Sequence, residues 1–153
     1  NSLDALTTVD DQLAALEAAH TLLRPGGRLL FDVYVPRQAV IASSFGEWRE
    51  TSVTTDDGET LQARTRTTVA DEVAQTYRAE RELLDGDGEV TAQETYLNAH
   101  LPPQQVELLA RVSPFAEWRS AGGFDGQPLA DGADVQVWDL RKTSSVTSVD
   151  PPA

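Results

Sequence analysis

The chain contains no cysteine, which excludes disulfides, thiolate nucleophiles and cysteine-ligated metals and fits a reducing cytoplasm. Basic residues are scarce. Twelve Lys and Arg stand against 25 Asp and Glu, a formal charge of −13. Such a chain repels a phosphate backbone, so no nucleic-acid partner is expected. No run of 18 apolar residues exists to span a membrane. The N-terminus has no basic region followed by an apolar core, so no signal peptide is expected and the expected compartment is the cytoplasm. The first residue is Asn1 rather than Met, which suggests a processed or truncated product. Only two histidines occur. His20 has no second His at ligand spacing on its segment, and no metal site is expected. No Ser-His-Asp or paired-carboxylate constellation stands out either. What is present, 40% hydrophobic and 24% charged residues in 153, suits one globular domain.

The stretch Leu23-Arg-Pro-Gly-Gly-Arg-Leu-Leu-Phe-Asp-Val-Tyr-Val-Pro36 organises the reading. Thr7 to Asp11 offer Thr-x-x-Asp patterns close to a capping box. Leu13, Leu16, His20 and Leu23 then recur at helical spacing, giving a helix from about Val9 to Leu23. Pro25 stops it, and Gly26-Gly27 permit a sharp reversal. Leu29 to Val35 is almost continuously apolar, as expected of a strand covered on both faces in a parallel sheet. Pro36 ends it.

Beyond a short helix within Arg37–Phe45, the period becomes two. Four antiparallel strands are expected over Glu47–Thr55, Glu59–Val69, Gln75–Leu84 and Glu89–His100. Asp56-Asp57-Gly58 and Asp85-Gly86-Asp87-Gly88 read as hairpin turns. The second lacks the further oxygen ligands of an EF-hand loop. Arg64 and Arg66 should face Glu80 and Glu82 as a solvated charge ladder. Pro102-Pro103 opens a helix with Val106, Leu109, Ala110 and Val112 on its apolar side. Phe115–Arg119 and a run with Val135, Val137, Trp138 and Leu140 make two last strands around a Gly-rich loop. Residues 143–153 carry no core residues and are expected to be disordered.

Asn1-Ser2-Leu3, the helix with Asp11-Gln12-Leu13 and Ala15-Leu16, then Leu23-Arg24-Pro25-Gly26-Gly27 and Leu30-Phe31-Asp32-Val33, together resemble class I S-adenosylmethionine-dependent methyltransferases. The resemblance implies an α/β fold: a partial Rossmann-like methyltransferase sheet with an antiparallel β insertion. Residues 1–142 would be the C-terminal, substrate-side part of one domain, with 46–100 as the insertion. The family's Gly-rich cofactor loop has no counterpart in residues 1–22. The cofactor implied is S-adenosyl-L-methionine, with Asn1, Ser2 and Leu3 as the residues of this chain beside it.

In such a fold the end of the strand places Tyr34 where open α/β sheets hold ligands, and Trp48 and Tyr96 become candidate aromatic walls for a small-molecule substrate. His100 is the candidate base. The implied activity is methyl transfer to a small molecule, with this piece inactive alone. The alternative is a non-catalytic binding or dimerisation module of the same fold. Leu29–Tyr34 would show an unpaired apolar edge, a route to self-association.

Overall fold

The computed structural model describes residues 3–144; Asn1, Ser2 and all but the first two residues of the 143–153 tail lie outside that range. The chain divides into two compact units. One contains helices α1 (Val9–Leu22) and α3 (Pro103–Val112) and strands β1 (Arg28–Tyr34), β6 (Glu117–Ala121) and β7 (Val135–Arg141). The other is formed by helix α2 (Gln38–Ser44) and strands β2 (Arg49–Thr54), β3 (Thr60–Asp71), β4 (Thr76–Leu84) and β5 (Val90–Ala99). Among the described residues no helix is long and apolar enough to cross a membrane.

In the first unit the sheet order is β1-β7-β6. Both pairings are antiparallel. Arg24-Pro25-Gly26-Gly27 forms the turn into β1. Pro25 sits at its second position, Gly26 has φ +74°, and the Gly27 N–H donates to the Arg24 carbonyl at 2.8 Å. These are the features of a type II turn. Leu29, Phe31 and Val33 lie opposite Leu140, Trp138 and Gln136. That shared face is the core side, since Val33, Gln136, Trp138 and Leu140 are buried. α1 adds Leu16 and Gln12, and α3 adds Val106, Leu109 and Ala110. His20 packs edge-on against Phe115 with ring centres 5.1 Å apart.

Two expectations change. β1 is not covered on both faces among the described residues: Leu30 and Tyr34, on the face away from the core, are exposed. Its apolar run belongs to a strand at the end of its sheet, joined to β7 only. The tail also begins later than expected, because the Thr143 carbonyl accepts the Gly26 N–H at 3.2 Å.

In the second unit the order is β2-β3-β4-β5, all antiparallel. The Asp-Gly turns fall as the sequence indicates, with Gly58 and Gly88 at φ +87° and +86°. The Asp85 carboxylate fixes its turn by accepting the N–H groups of Asp87 and Glu89. Arg64 pairs with Glu82 and Arg66 with Glu80 across β3 and β4. This ladder is less solvated than expected: the Glu82 and Glu80 side chains are 11% and 16% exposed, while those of Arg64 and Arg66 keep 38% and 33%.

Candidate functional site

The covering of that ladder explains Trp48. Its ring lies 4.9 Å from the Arg64 guanidinium and 4.6 Å from that of Arg66. A tryptophan face attracts cations through its quadrupole, and here it roofs two arginines already paired to carboxylates. Trp48 therefore has structural work on the face that carries Arg64 and Arg66.

Tyr96 points the other way. Thr67, Ala79 and Tyr96 are directly opposite one another across β3, β4 and β5, one step from the Arg66, Glu80 and Thr95 row. Adjacent residues on a strand face opposite sides, so Tyr96 and Trp48 occupy opposite faces and cannot wall one pocket. This corrects the pairing expected of them. Tyr96 is half exposed, and its hydroxyl donates to Glu94 Oε2 at 2.6 Å. That bond pushes the phenol pKa upward.

The Tyr96 face has a second feature, which alternation alone did not single out. Tyr77, two residues before Ala79, meets His100 edge to face, with ring centres 4.6 Å apart and the planes inclined at 61°. Phe45 closes the group, 5.9 Å from His100 and 6.3 Å from Tyr77. The backbone seats His100 through its N–H, which donates to the Gln75 carbonyl at 2.7 Å. Gln75 makes this possible by adopting φ +53° at the β3–β4 turn. The sequence offered Tyr77 only as one apolar member of a strand and Phe45 only as a helix end. A cue to their meeting would have been the β4–β5 register, which brings Tyr77 beside Asn98.

Burial pushes the His100 imidazole pKa below its usual value. The ring is thus neutral at pH 7 and can accept a proton or a hydrogen bond. A folded-state value below the unfolded one means stability is intact above the ordinary pKa and lost as pH falls through the depressed one. We expect the His100 ring proton, followed by NMR, to titrate with a midpoint below about 6.5. Phe45→Ala should raise that midpoint by admitting water. An unshifted midpoint in the native chain would remove the aromatic enclosure.

Tyr34, in the first unit, is 60% exposed at the end of β1. The Val35 N–H just beyond it donates to the Asp134 carbonyl at 3.0 Å. Leu3 is buried, at 7% exposure; Asn1 and Ser2 lie outside the described residues. A hollow of about 260 Å³ opens instead at the N-terminal end of β1, lined by Gly26, Arg28, Arg119, Arg141, Glu117 and Asp139. Two of its three arginines are paired: Arg28 donates to Asp139 at 2.9 Å and holds that carboxylate pKa below its usual range, and Arg141 lies 3.9 Å from Glu117. It also sits at the wrong end of the strand for a ligand site in an open α/β sheet.

A nucleotide-type cofactor needs glycines that leave open backbone for its approach. Gly122 and Gly123 follow β6, but a Cβ at either would meet the loop itself, 2.8 Å from the Pro128 carbonyl oxygen and from Asp125 Oδ1 respectively. Gly46, Gly58, Gly88, Gly126 and Gly132 have positive φ with open space around them, as turn residues do.

No family model matches the sequence, and no curated protein matches it. Solved structures do. The CcbJ methyltransferase from Streptomyces caelestis superposes over 94% of this chain and 58% of its own, with TM-score 0.70 and 22% identity. An S-adenosylmethionine-dependent methyltransferase from Clostridium acetobutylicum gives TM-score 0.71 at 11% identity, over 94% of this chain and 55% of its own. CalS10, an amino pentose methyltransferase from Micromonospora echinaspora solved with S-adenosylmethionine bound, gives 0.62 at 18%, over 92% and 54%. The chain spans a little over half the length of these structures. At such identities the likeness is one of fold: this α/β chain has the fold of S-adenosylmethionine-dependent methyltransferases over the part of their length that it spans.

Proposed function

We propose that the chain is the substrate-side portion of an S-adenosylmethionine-dependent methyltransferase acting on a small molecule. The observation that carries this reading is the extent of the likeness, which takes in the antiparallel insertion as well as the β1-β7-β6 sheet. Two of the similar proteins are named for amino-sugar chemistry, the amino pentose methyltransferase and a sugar N-methyltransferase, KedS8 from Streptoalloteichus. An acceptor of modest size bearing an amine or hydroxyl is therefore the favoured class.

Methyl transfer demands alignment of nucleophile and methyl group more than a strong acid or base. In this reading the residues of this chain hold the acceptor. Within the second unit Tyr96 and the Phe45–Tyr77–His100 group give an aromatic face, and the neutral His100 ring accepts the proton of an acceptor that arrives protonated; Tyr34 is a candidate contact that the first unit offers by itself. Leu3, with Asn1 and Ser2, is the chain's proposed contribution beside the cofactor.

A second reading is a non-catalytic binding or dimerisation module of this fold. Calorimetric titration with S-adenosylmethionine and with its demethylated product separates the two. Heat of binding is expected from a chain extended N-terminally along its coding sequence, and none from residues 1–153. If the extended chain binds neither compound, the methyltransferase reading fails. The open edge of β1 is, on the first reading, the place where a strand of the extended chain pairs; in residues 1–153 alone we propose it as a weak self-association edge.

A further inference from the structure

β5 is an edge strand without the usual protection. It runs ten residues, Val90–Ala99, and its first eight are exposed whichever face they point to. Natural edges are blunted by shortness, proline, lysine or inward charges. β2, at the other end of the same sheet, is six residues long and carries Arg49 and Glu50. β5 has no Pro, Lys or Arg, and its one charged residue is Glu94.

Its open hydrogen-bonding groups can be assigned. The His100 N–H donates inward to Gln75, whereas the Ala99 N–H donates outward to the Asp4 carbonyl at 2.6 Å. Main-chain groups alternate sides along a strand. Gln93, Thr95 and Leu97 therefore present N–H and C=O on the outer edge, and the Asp4 carbonyl occupies its Ala99 end.

We infer that β5 pairs antiparallel with β5 of a second copy of this chain, about a two-fold axis at Thr95. This register places Thr95 opposite Thr95, Gln93 opposite Leu97, and Tyr96 opposite Glu94. Every open group of the three outward residues then finds a partner. The neighbouring registers are worse for stated reasons. Sliding one way sets Glu94 against Glu94, and like charges directly opposite are destabilising. Sliding the other way sets Gln93, one of the three open residues, against Ala99, whose N–H already serves Asp4; in the chosen register only Thr91, at the irregularity of the β4–β5 pairing, meets Ala99. The chosen register puts the Tyr96 hydroxyl, already a donor to Glu94 within its own chain, beside the second copy's Glu94 as well. Such an interface is isologous and closed, so taken by itself it yields dimers and not fibres. The joined sheet would run β2-β3-β4-β5 and back again through the second copy. Each copy brings a charge of −13, so the pairing tightens as salt screens the repulsion.

The test uses the absence of cysteine. In a hydrogen-bonded antiparallel pair the Cα atoms stand about 5.5 Å apart, within reach of a disulfide. Under mild oxidation Thr95→Cys should form a covalent dimer roughly tenfold or more faster than Ser52→Cys on β2 or Leu30→Cys on β1, because pairing raises the local thiol concentration. Thr95→Pro and Thr95→Lys should shift the chain to monomer by light scattering with circular dichroism unchanged. Proline is tolerated there because the Thr95 N–H is not used by β4, and lysine sets two cations face to face across the axis. A chain that stays monomeric at every salt concentration overturns the inference. So does cross-linking no faster at Thr95 than at Ser52. Cross-linking only at Leu30 assigns association to β1 and overturns it too.

Discussion

Replacing Gln136 by leucine is expected to destabilise the first unit by roughly 2 to 5 kcal/mol, although leucine is apolar, similar in volume and destined for a core position. Gln136 has no exposed surface. Its Nε2 donates to the Leu101 carbonyl at 2.6 Å and reaches the Tyr34 carbonyl at 3.5 Å. Its Oε1 accepts the Trp138 indole N–H at 2.8 Å. Leucine leaves the Leu101 carbonyl and the indole N–H without this partner, and a buried polar group with no partner costs about 1 to 3 kcal/mol. The two carbonyls lie next to the points where the backbone leaves the unit after Val35 and re-enters it at Leu101. Gln136 thus ties both crossings to β7. Urea unfolding of Gln136→Leu measures the loss. Adding Trp138→Phe, which removes the orphaned N–H, should recover part of the polar cost even as it shrinks the core. A single mutant within 0.5 kcal/mol of the native chain, the ordinary range for a surface change, would show that the amide is dispensable.

That residue also shows where sequence reasoning stopped. The Pro-Gly-Gly turn, the helix before it and the Asp-Gly hairpins were legible because each rests on residues adjacent in the chain. The Arg64–Glu82 and Arg66–Glu80 pairs were legible because one short hairpin fixes their register. The last strand was read through Val135, Val137, Trp138 and Leu140, yet the buried row is Gln136, Trp138 and Leu140. A glutamine enters a core only when specific carbonyls and N–H groups await it, and Leu101 and Tyr34 are 35 and 102 positions away. The pairing of Trp48 with Tyr96 failed for a related reason. A large aromatic near a presumed pocket reads as a wall, but its fate turned on two arginines of the neighbouring strand. The Phe45–Tyr77–His100 group joins the end of α2, the start of β4 and the residue after β5, and no local pattern connects them. The β1 run was misread in degree only: apolar composition reports a strand that wants cover, not how many of its faces the described residues cover.

The second large effect concerns the glycine of the turn that does not need positive φ. Gly26 has φ +74°, so Gly26→Ala should cost about 1 to 2 kcal/mol, the penalty of a left-handed conformation. Gly27 has no such requirement, and on backbone preference alone it would be the more replaceable. Space says otherwise. A Cβ on Gly27 would lie 2.8 Å from the Arg24 carbonyl oxygen and 3.1 and 3.2 Å from Leu23 Cβ and Cδ2. The turn cannot easily move outward to relieve this. The Gly27 N–H holds the Arg24 carbonyl, and the Gly27 carbonyl accepts the Lys142 N–H at 2.9 Å. The Lys142 ammonium in turn caps α1, donating to the carbonyls of His20 and Leu23 at 2.7 and 2.8 Å, groups that a helix end otherwise leaves without partners. Shifting Gly27 therefore strains the helix cap and the end of β7 together. Gly27→Val is expected to cost on the order of 3 kcal/mol, the upper range for overpacking, and more than Gly26→Ala in the same urea series. The reverse order would mean that this turn selects glycine for its dihedral freedom alone. The expected order means that the second glycine is kept for the close approach of α1, the turn and β7, the contact through which a local turn fixes where the sheet begins.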